Sequence, residues 1–252
     1  SGIGKTSLVN EVFAEMDERR GIFLSGKFDA YQQDLPYSSI VEAFREQVKQ
    51  ILVEEESEKE HWRTLIQEAV GTNGQVLIEV IPEIELLIGE QSAYQKMGAL
   101  ESQNRFNLIF IRFVKLFCRS ERSLALFLDD LQWVDPASLR LIELLLIDEK
   151  LENILVIGAY RENEVGDGHP LLSTLDRLRQ NTIRVSEIVL TALGHEYIKS
   201  MVSETFGAGS GDTGALAELV EEKSAGNPFY IQEFLRALNN EKMVYFDSEQ
   251  AR

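Results

Sequence analysis

Apolar residues recur at helical spacing over several stretches of the chain and gather into short unbroken runs over others. Leu8, Val9, Val12, Phe13 and Met16 predict a helix that starts at about Lys5 and ends in charge before Gly21. The run Ile22 to Leu24, bounded by glycines, predicts a short buried strand, and 26 to 36 reads as loop. Ser38 or Ser39 is placed to cap a helix through about Val53. The acidic run Glu54 to Glu60 then reads as a solvated face ahead of a helix around His61 to Val70. Pro82 interrupts the apolar stretch Val76 to Ile88, which predicts one or two short helices around a turn. Phe106, Ile109, Phe110, Phe113, Val114 and Phe117 make 101 to 119 a strongly amphipathic helix.

The second half alternates. Leu124 to Leu128 is a five-residue apolar run that predicts a buried parallel strand. A helix at about 137 to 147, a strand at 154 to 160, a helix at 170 to 180 and a strand at 184 to 190 follow. Such alternation predicts right-handed βα units, hence an α/β fold with a parallel sheet flanked by helices. From Gly194 the pattern becomes three helices, about 195 to 205, 213 to 224 and 228 to 240, as expected of a small helical lid. A flexible loop at 207 to 214 and a last strand at Met243 to Phe246 complete the expectation.

Composition narrows the function. The 252 residues are 44% hydrophobic and 27% charged, which excludes disorder as the main state. With 25 Lys plus Arg against 42 Asp plus Glu, the net charge of -17 argues against direct contact with nucleic acid or an anionic membrane surface. A polyanion must therefore be met in a local pocket. The single cysteine, Cys118, forms no intramolecular disulfide, and His61, His169 and His195 are too scattered for a metal site, so a reducing, cytoplasmic setting is expected. No apolar run approaches the roughly 20 residues of a membrane span.

Gly2-Ile3-Gly4-Lys5-Thr6-Ser7 matches the end of the phosphate-binding pattern GxxxxGK[ST], whose first glycine falls two residues before Ser1. Glycines let backbone N–H groups curl around phosphate oxygens, Lys5 reaches the β and γ phosphates, and the Thr6 hydroxyl is a magnesium ligand. The strand ending in Asp129-Asp130 supplies the acids that such a loop requires: Asp129 on the metal side, Asp130 to orient or polarise the attacking water. A third strand ends in Gly158-Ala-Tyr-Arg161, a cation at the edge where open α/β sheets bind ligands. Arg161 suits either a γ phosphate or a pairing with Glu162 or Glu164, and spacing alone leaves both open. Gly226-Asn227-Pro228 reads locally as a helix end followed by a proline helix start.

In order, GIGKTSL, GKFD, ESQNRF, LFLDDLQWVD, GAYRENEV, HPL and GNPF resemble the AAA-like ATPase domain of the STAND class of signalling NTPases. The form it is similar to lies in large bacterial proteins between a serine/threonine kinase domain and GAF plus histidine-kinase domains. The resemblance covers essentially the whole chain. It implies a P-loop NTPase core of the ASCE type over 1 to 192 with strand order 5-1-4-3-2, a helical lid over 193 to 242, and the start of a winged-helix region over 243 to 252. It also implies that Asp129 and Asp130 are the Walker B acids, that Arg161 is sensor 1, and that Pro228 belongs to a motif near the nucleotide. Glu101, Arg105 and Trp133-Val-Asp135 match too, although a helix ion pair and a strand-to-helix turn account for them locally.

The implied function is an ATP-dependent switch that works with magnesium and passes its ATP or ADP state to attached kinase domains, with a nucleotide-dependent oligomer as a further expectation. Two departures qualify it. Fast ASCE ATPases usually carry Glu where Asp130 stands, and its carboxylate lies about 1.5 Å nearer the backbone, which favours slow hydrolysis. The first strand and first glycine are also missing, so the chain reads as a slice that binds ATP poorly by itself. The alternatives are a nonhydrolysing interaction scaffold and a DNA-associated AAA+ remodelling ATPase.

Overall fold

The computed structural model describes residues 2–14, 21–31, 35–93, 98–118, 123–206 and 213–241. The expected strand at 243 to 246, the winged-helix start and most of the loop at 207 to 214 lie outside these residues. The chain divides into two compact units, one of residues 9–186 and one of residues 1–8 with 187–252. Among the described residues no helix is long and apolar enough to cross a membrane.

The larger unit is built on three parallel strands, β1 (Ile22–Lys27), β2 (Leu124–Asp129) and β3 (Ile154–Gly158), in the order β1-β2-β3. Every residue of β2 is buried, as expected for the middle strand of a covered parallel sheet. Its register sets Lys27 opposite Asp129 and Leu128 opposite Gly158. Such a sheet brings the carboxyl ends of all three strands to one edge, where ligands of open α/β sheets bind. β1 runs three residues beyond the expected Leu24, so Lys27 is the last residue of a strand and not part of a loop.

Helices α2 (Ser38–Val53), α3 (Glu56–Val70), α4 (Gly74–Ile78), α5 (Ile84–Ile88) and α6 (Ala99–Lys115) carry much of the core. Phe110, Phe113 and Phe117 pack their rings on Phe44 of α2 with centroids 5.4 to 5.9 Å apart, within the range of favourable aromatic pairs. Two expectations need correction. Neither serine caps α2: the residue before it is Tyr37, at φ 66°, while the Ser39 hydroxyl donates to the Lys27 carbonyl at 2.8 Å. The acidic run is exposed as expected, but the helix starts earlier than His61: Glu56 and Glu58 sit in the first turn of α3, where negative charge complements the helix dipole.

After β2 come α7 (Pro136–Leu146) and α8 (Pro170–Gln180). Glu143 of α7 is buried and is held by Arg177 of α8 through Nε at 3.0 Å and Nη2 at 3.2 Å. Burial raises the Glu143 carboxyl, but its hydrogen bonds and charge interactions with Arg177 and Arg140 outweigh that and hold it below its ordinary value. The segment 184 to 190 is described but forms no strand. Apolar character is only half of a strand; the other half is a neighbour to bond with, and here Ile188 and Val189 stay exposed without a ladder.

The smaller unit holds α9 (His195–Phe206), α10 (Thr213–Ser224) and α11 (Pro228–Asn240), close to the expected bounds. Its own core comprises Ile198, Val202, Ala217, Val220, Ile231 and Leu235.

Candidate functional site

At the carboxyl end of β2 the chain changes from apolar to polar without leaving the interior. Asp129, Asp130, Gln132, Asp135 and Ser138 are all buried, an arrangement that is stable only if each polar group finds partners. The backbone here is held from both sides. Asp129 O accepts the Phe28 N–H at 3.1 Å, the Ala159 N–H donates to Leu128 O, and the Leu131 N–H donates to Ala159 O, the latter two at 2.9 Å. Asp130 takes φ 54° and ψ 44°, a left-handed conformation that Asp tolerates better than most residues, and it turns the chain sharply into residues 131–133.

Asp129 is 7% exposed, and its Oδ1 accepts the Asp130 N–H at 2.9 Å. Asp130 is met by cations from both sides: Lys27 Nζ, at the end of β1, lies 3.5 Å from Oδ2, and Arg161 Nε, three residues beyond β3, lies 3.6 Å from Oδ1. Gln132 Nε2 donates to Oδ1 at 2.7 Å. Of the two readings that spacing left open, the pairing with Glu164 is present, Arg161 Nη1 donating to it at 2.7 Å, and the guanidinium also lies 5.3 Å from the Trp133 ring centroid.

Further along, Asp135 caps α7, its Oδ1 accepting the Ser138 N–H at 2.8 Å, with Pro136 in the first turn. This is the strand-to-helix turn that the local reading of Trp133-Val-Asp135 expects. Glu101 accepts the Gly98 N–H at 3.2 Å and so closes the start of α6. Cys118 offers no nucleophile at neutral pH, since burial pushes its thiol up to about 12.

The residues that match the phosphate-binding pattern are organised by backbone. Gly2 and Gly4 have φ of 77° and 92°, the conformations from which N–H groups form anion-binding nests. The helix α1 (Lys5–Ala14) begins at Lys5, and the Leu8 N–H closes its first turn on Gly4 O at 2.9 Å. Ile3 and Lys5 are half-buried, while Thr6 and Ser7 are exposed. In the same unit, Gly2 O accepts the Phe229 N–H at 3.2 Å, and a Cβ on Gly2 would meet Phe229 Cβ at 2.8 Å. The turn before α11 matches its local reading: Ala225 and Gly226 are left-handed, Asn227 Oδ1 caps the helix by accepting the Phe229 N–H, and Pro228 takes the first helical position.

Sequence reasoning missed Lys27, Gln132 and His169 as members of the strand-end cluster. Lys27 could have been found once its strand was extended, because the residue that ends a neighbouring parallel strand falls opposite Asp129. Gln132 and His169 carry no periodic signal.

Residues 1–157, more than half of the chain, match the AAA ATPase domain family. The chain is 30% identical, over 98% of its own length, to hybrid signal transduction histidine kinase G of Dictyostelium discoideum. It is 28% identical, over 56% of its length, to histidine protein kinase 1 of Candida albicans. It spans only 9% and 6% of the lengths of these two relatives. No solved structure matches it. The match over the three-stranded parallel core and its acidic strand end shows that the chain belongs to the AAA ATPase domain family.

Proposed function

We propose that this chain is an ATP-binding, slowly hydrolysing switch domain of the STAND class, acting within a cytoplasmic multidomain signal-transduction kinase. The observation that carries the proposal is the buried pair Asp129-Asp130, with Lys27 brought to Asp130 by the end of β1 and Arg161 by the segment after β3. Acids this deeply buried are costly unless a task or a partner retains them. The kinase context is supported by the names of both relatives.

The residues suit the groups this reading requires. Two glycines with positive φ ahead of a ten-residue helix suit phosphate oxygens. The hard oxygen donors Thr6 and Asp129 suit magnesium. When bound, that ion neutralises charge on the β and γ phosphates. In this reading Gly2, Ile3, Gly4 and Ser7 hold the phosphates through the backbone, Lys5 pairs with the β and γ oxygens, and Pro228 lies near the nucleotide. Asp130 takes the proton of the attacking water as the γ-phosphoryl group leaves the β–γ bridging oxygen, and Arg161 stabilises the charge that develops. Slow turnover is expected from the short Asp130 side chain, whose two oxygens already face donors. The output is a conformational difference between ATP and ADP states, passed to attached kinase, GAF or histidine-kinase domains.

In the full-length polypeptide, Lys5→Ala is expected to weaken Mg-ATP binding by about 10- to 150-fold, the equivalent of one charged hydrogen bond. Isothermal calorimetry measures this, and an unchanged affinity would remove Lys5 and its loop from the account.

A further inference from the structure

Gln132 is 6% exposed, and its one amide group makes two bonds of opposite kind. Nε2–H donates to Asp130 Oδ1 at 2.7 Å, while Oε1 accepts the backbone N–H of Arg161 at 3.2 Å. Together the bonds assign the orientation of the amide, since only its nitrogen donates and only its oxygen accepts. Its main chain is tied as well. His169 Nδ1 accepts the Leu171 N–H, so the neutral ring carries its proton on Nε2 and donates to the Gln132 carbonyl at 3.1 Å.

The direct approach of Arg161 Nε to Asp130 is 3.6 Å, too long for a hydrogen bond. The amide therefore joins the Asp130 carboxylate to the Arg161 main chain through two hydrogen bonds, where the side chains themselves meet only as an ion pair. Few side chains can take this place. A leucine of similar size makes neither bond, and a glutamate accepts from Arg161 but sets a second carboxylate against Asp130.

We propose that Gln132 is a positioning residue for hydrolysis, coupling the Asp130 carboxylate to the main chain of Arg161 so that acid and cation keep one arrangement. The inference rests on the roles given above to Asp130 and Arg161. It is tested in the full-length polypeptide with Gln132→Glu and Gln132→Leu, measuring magnesium-dependent phosphate release, Mg-ATP affinity and melting temperature. Turnover is expected to fall about 10- to 100-fold in both variants, less than the roughly 100- to 10,000-fold that a general acid or base itself contributes, while affinity stays within about 2-fold. Should Gln132→Leu fail to fold, Gln132→Glu keeps the size and the bond to Arg161 and carries the test. Wild-type turnover in a variant, or equal losses of affinity and turnover, overturns the coupling and leaves the hydrolytic reading standing. A wild-type protein that releases no phosphate overturns both, an outcome the wild-type rate alone reveals.

Discussion

From Leu124 to Asp130 every residue is buried, whereas α1, which carries Lys5 and Thr6, buries none. The strand end is fixed by side chains: Asp130 is met by Lys27, Gln132 and Arg161, and the backbone on either side is bonded to β1 and β3. The segment proposed as the phosphate loop depends instead on two left-handed glycines and a bond to the start of α11. A motif built from charged side chains needs a packed frame to hold them, while one built from backbone N–H groups needs mainly the right φ. Substitutions in the two regions should therefore fail in different ways.

The largest expected contrast is in stability. Leu126 is fully buried in the middle of β2, so Leu126→Ala should lower the unfolding free energy by about 2–5 kcal/mol. Val12 of α1 is 60% exposed, and Val12→Ala should change it by no more than about 0.5 kcal/mol. Urea unfolding followed by circular dichroism compares the two, and similar losses would break the contrast.

A smaller effect sharpens it on the packed side. The folded Glu143 carboxyl lies below its unfolded value. Its stabilising contribution is thus complete above the ordinary carboxylate value and is lost as pH falls from that value through the lower one of the folded state. Glu143→Gln should cost about 1 kcal/mol at neutral pH and should flatten this part of the acid dependence. Melting temperatures recorded from neutral to acid pH test it; a variant with an undiminished acid slope would assign that slope to other carboxylates.

Elements with strong periodicity were legible in the sequence, α6 through its phenylalanines and β2 through its uninterrupted apolar run. So were α8 and the three helices of the smaller unit, whose proline and glycine punctuation is local. The start of α3 was harder to place, because exposed charge at Glu56 and Glu58 marks a solvated face and points to a helix start only when the dipole is considered. The segment 184 to 190 has the composition of a strand, and composition does not reveal whether a neighbour is present to bond with. At the candidate site, Asp129, Asp130 and Arg161 stood out by chemical type and position. Gln132 did not, since its value comes from joining the end of β2 to residues just beyond β3, almost thirty positions away.

The central proposal is that Asp130, at the buried strand end, serves the hydrolysis of ATP. The most direct measurement is magnesium-dependent phosphate release by full-length wild type and Asp130→Asn, with Mg-ATP affinity determined on the same samples. The account predicts slow release by the wild type, none by Asp130→Asn, and binding retained by both. Equal turnover in the two proteins, or loss of binding together with turnover, would contradict it.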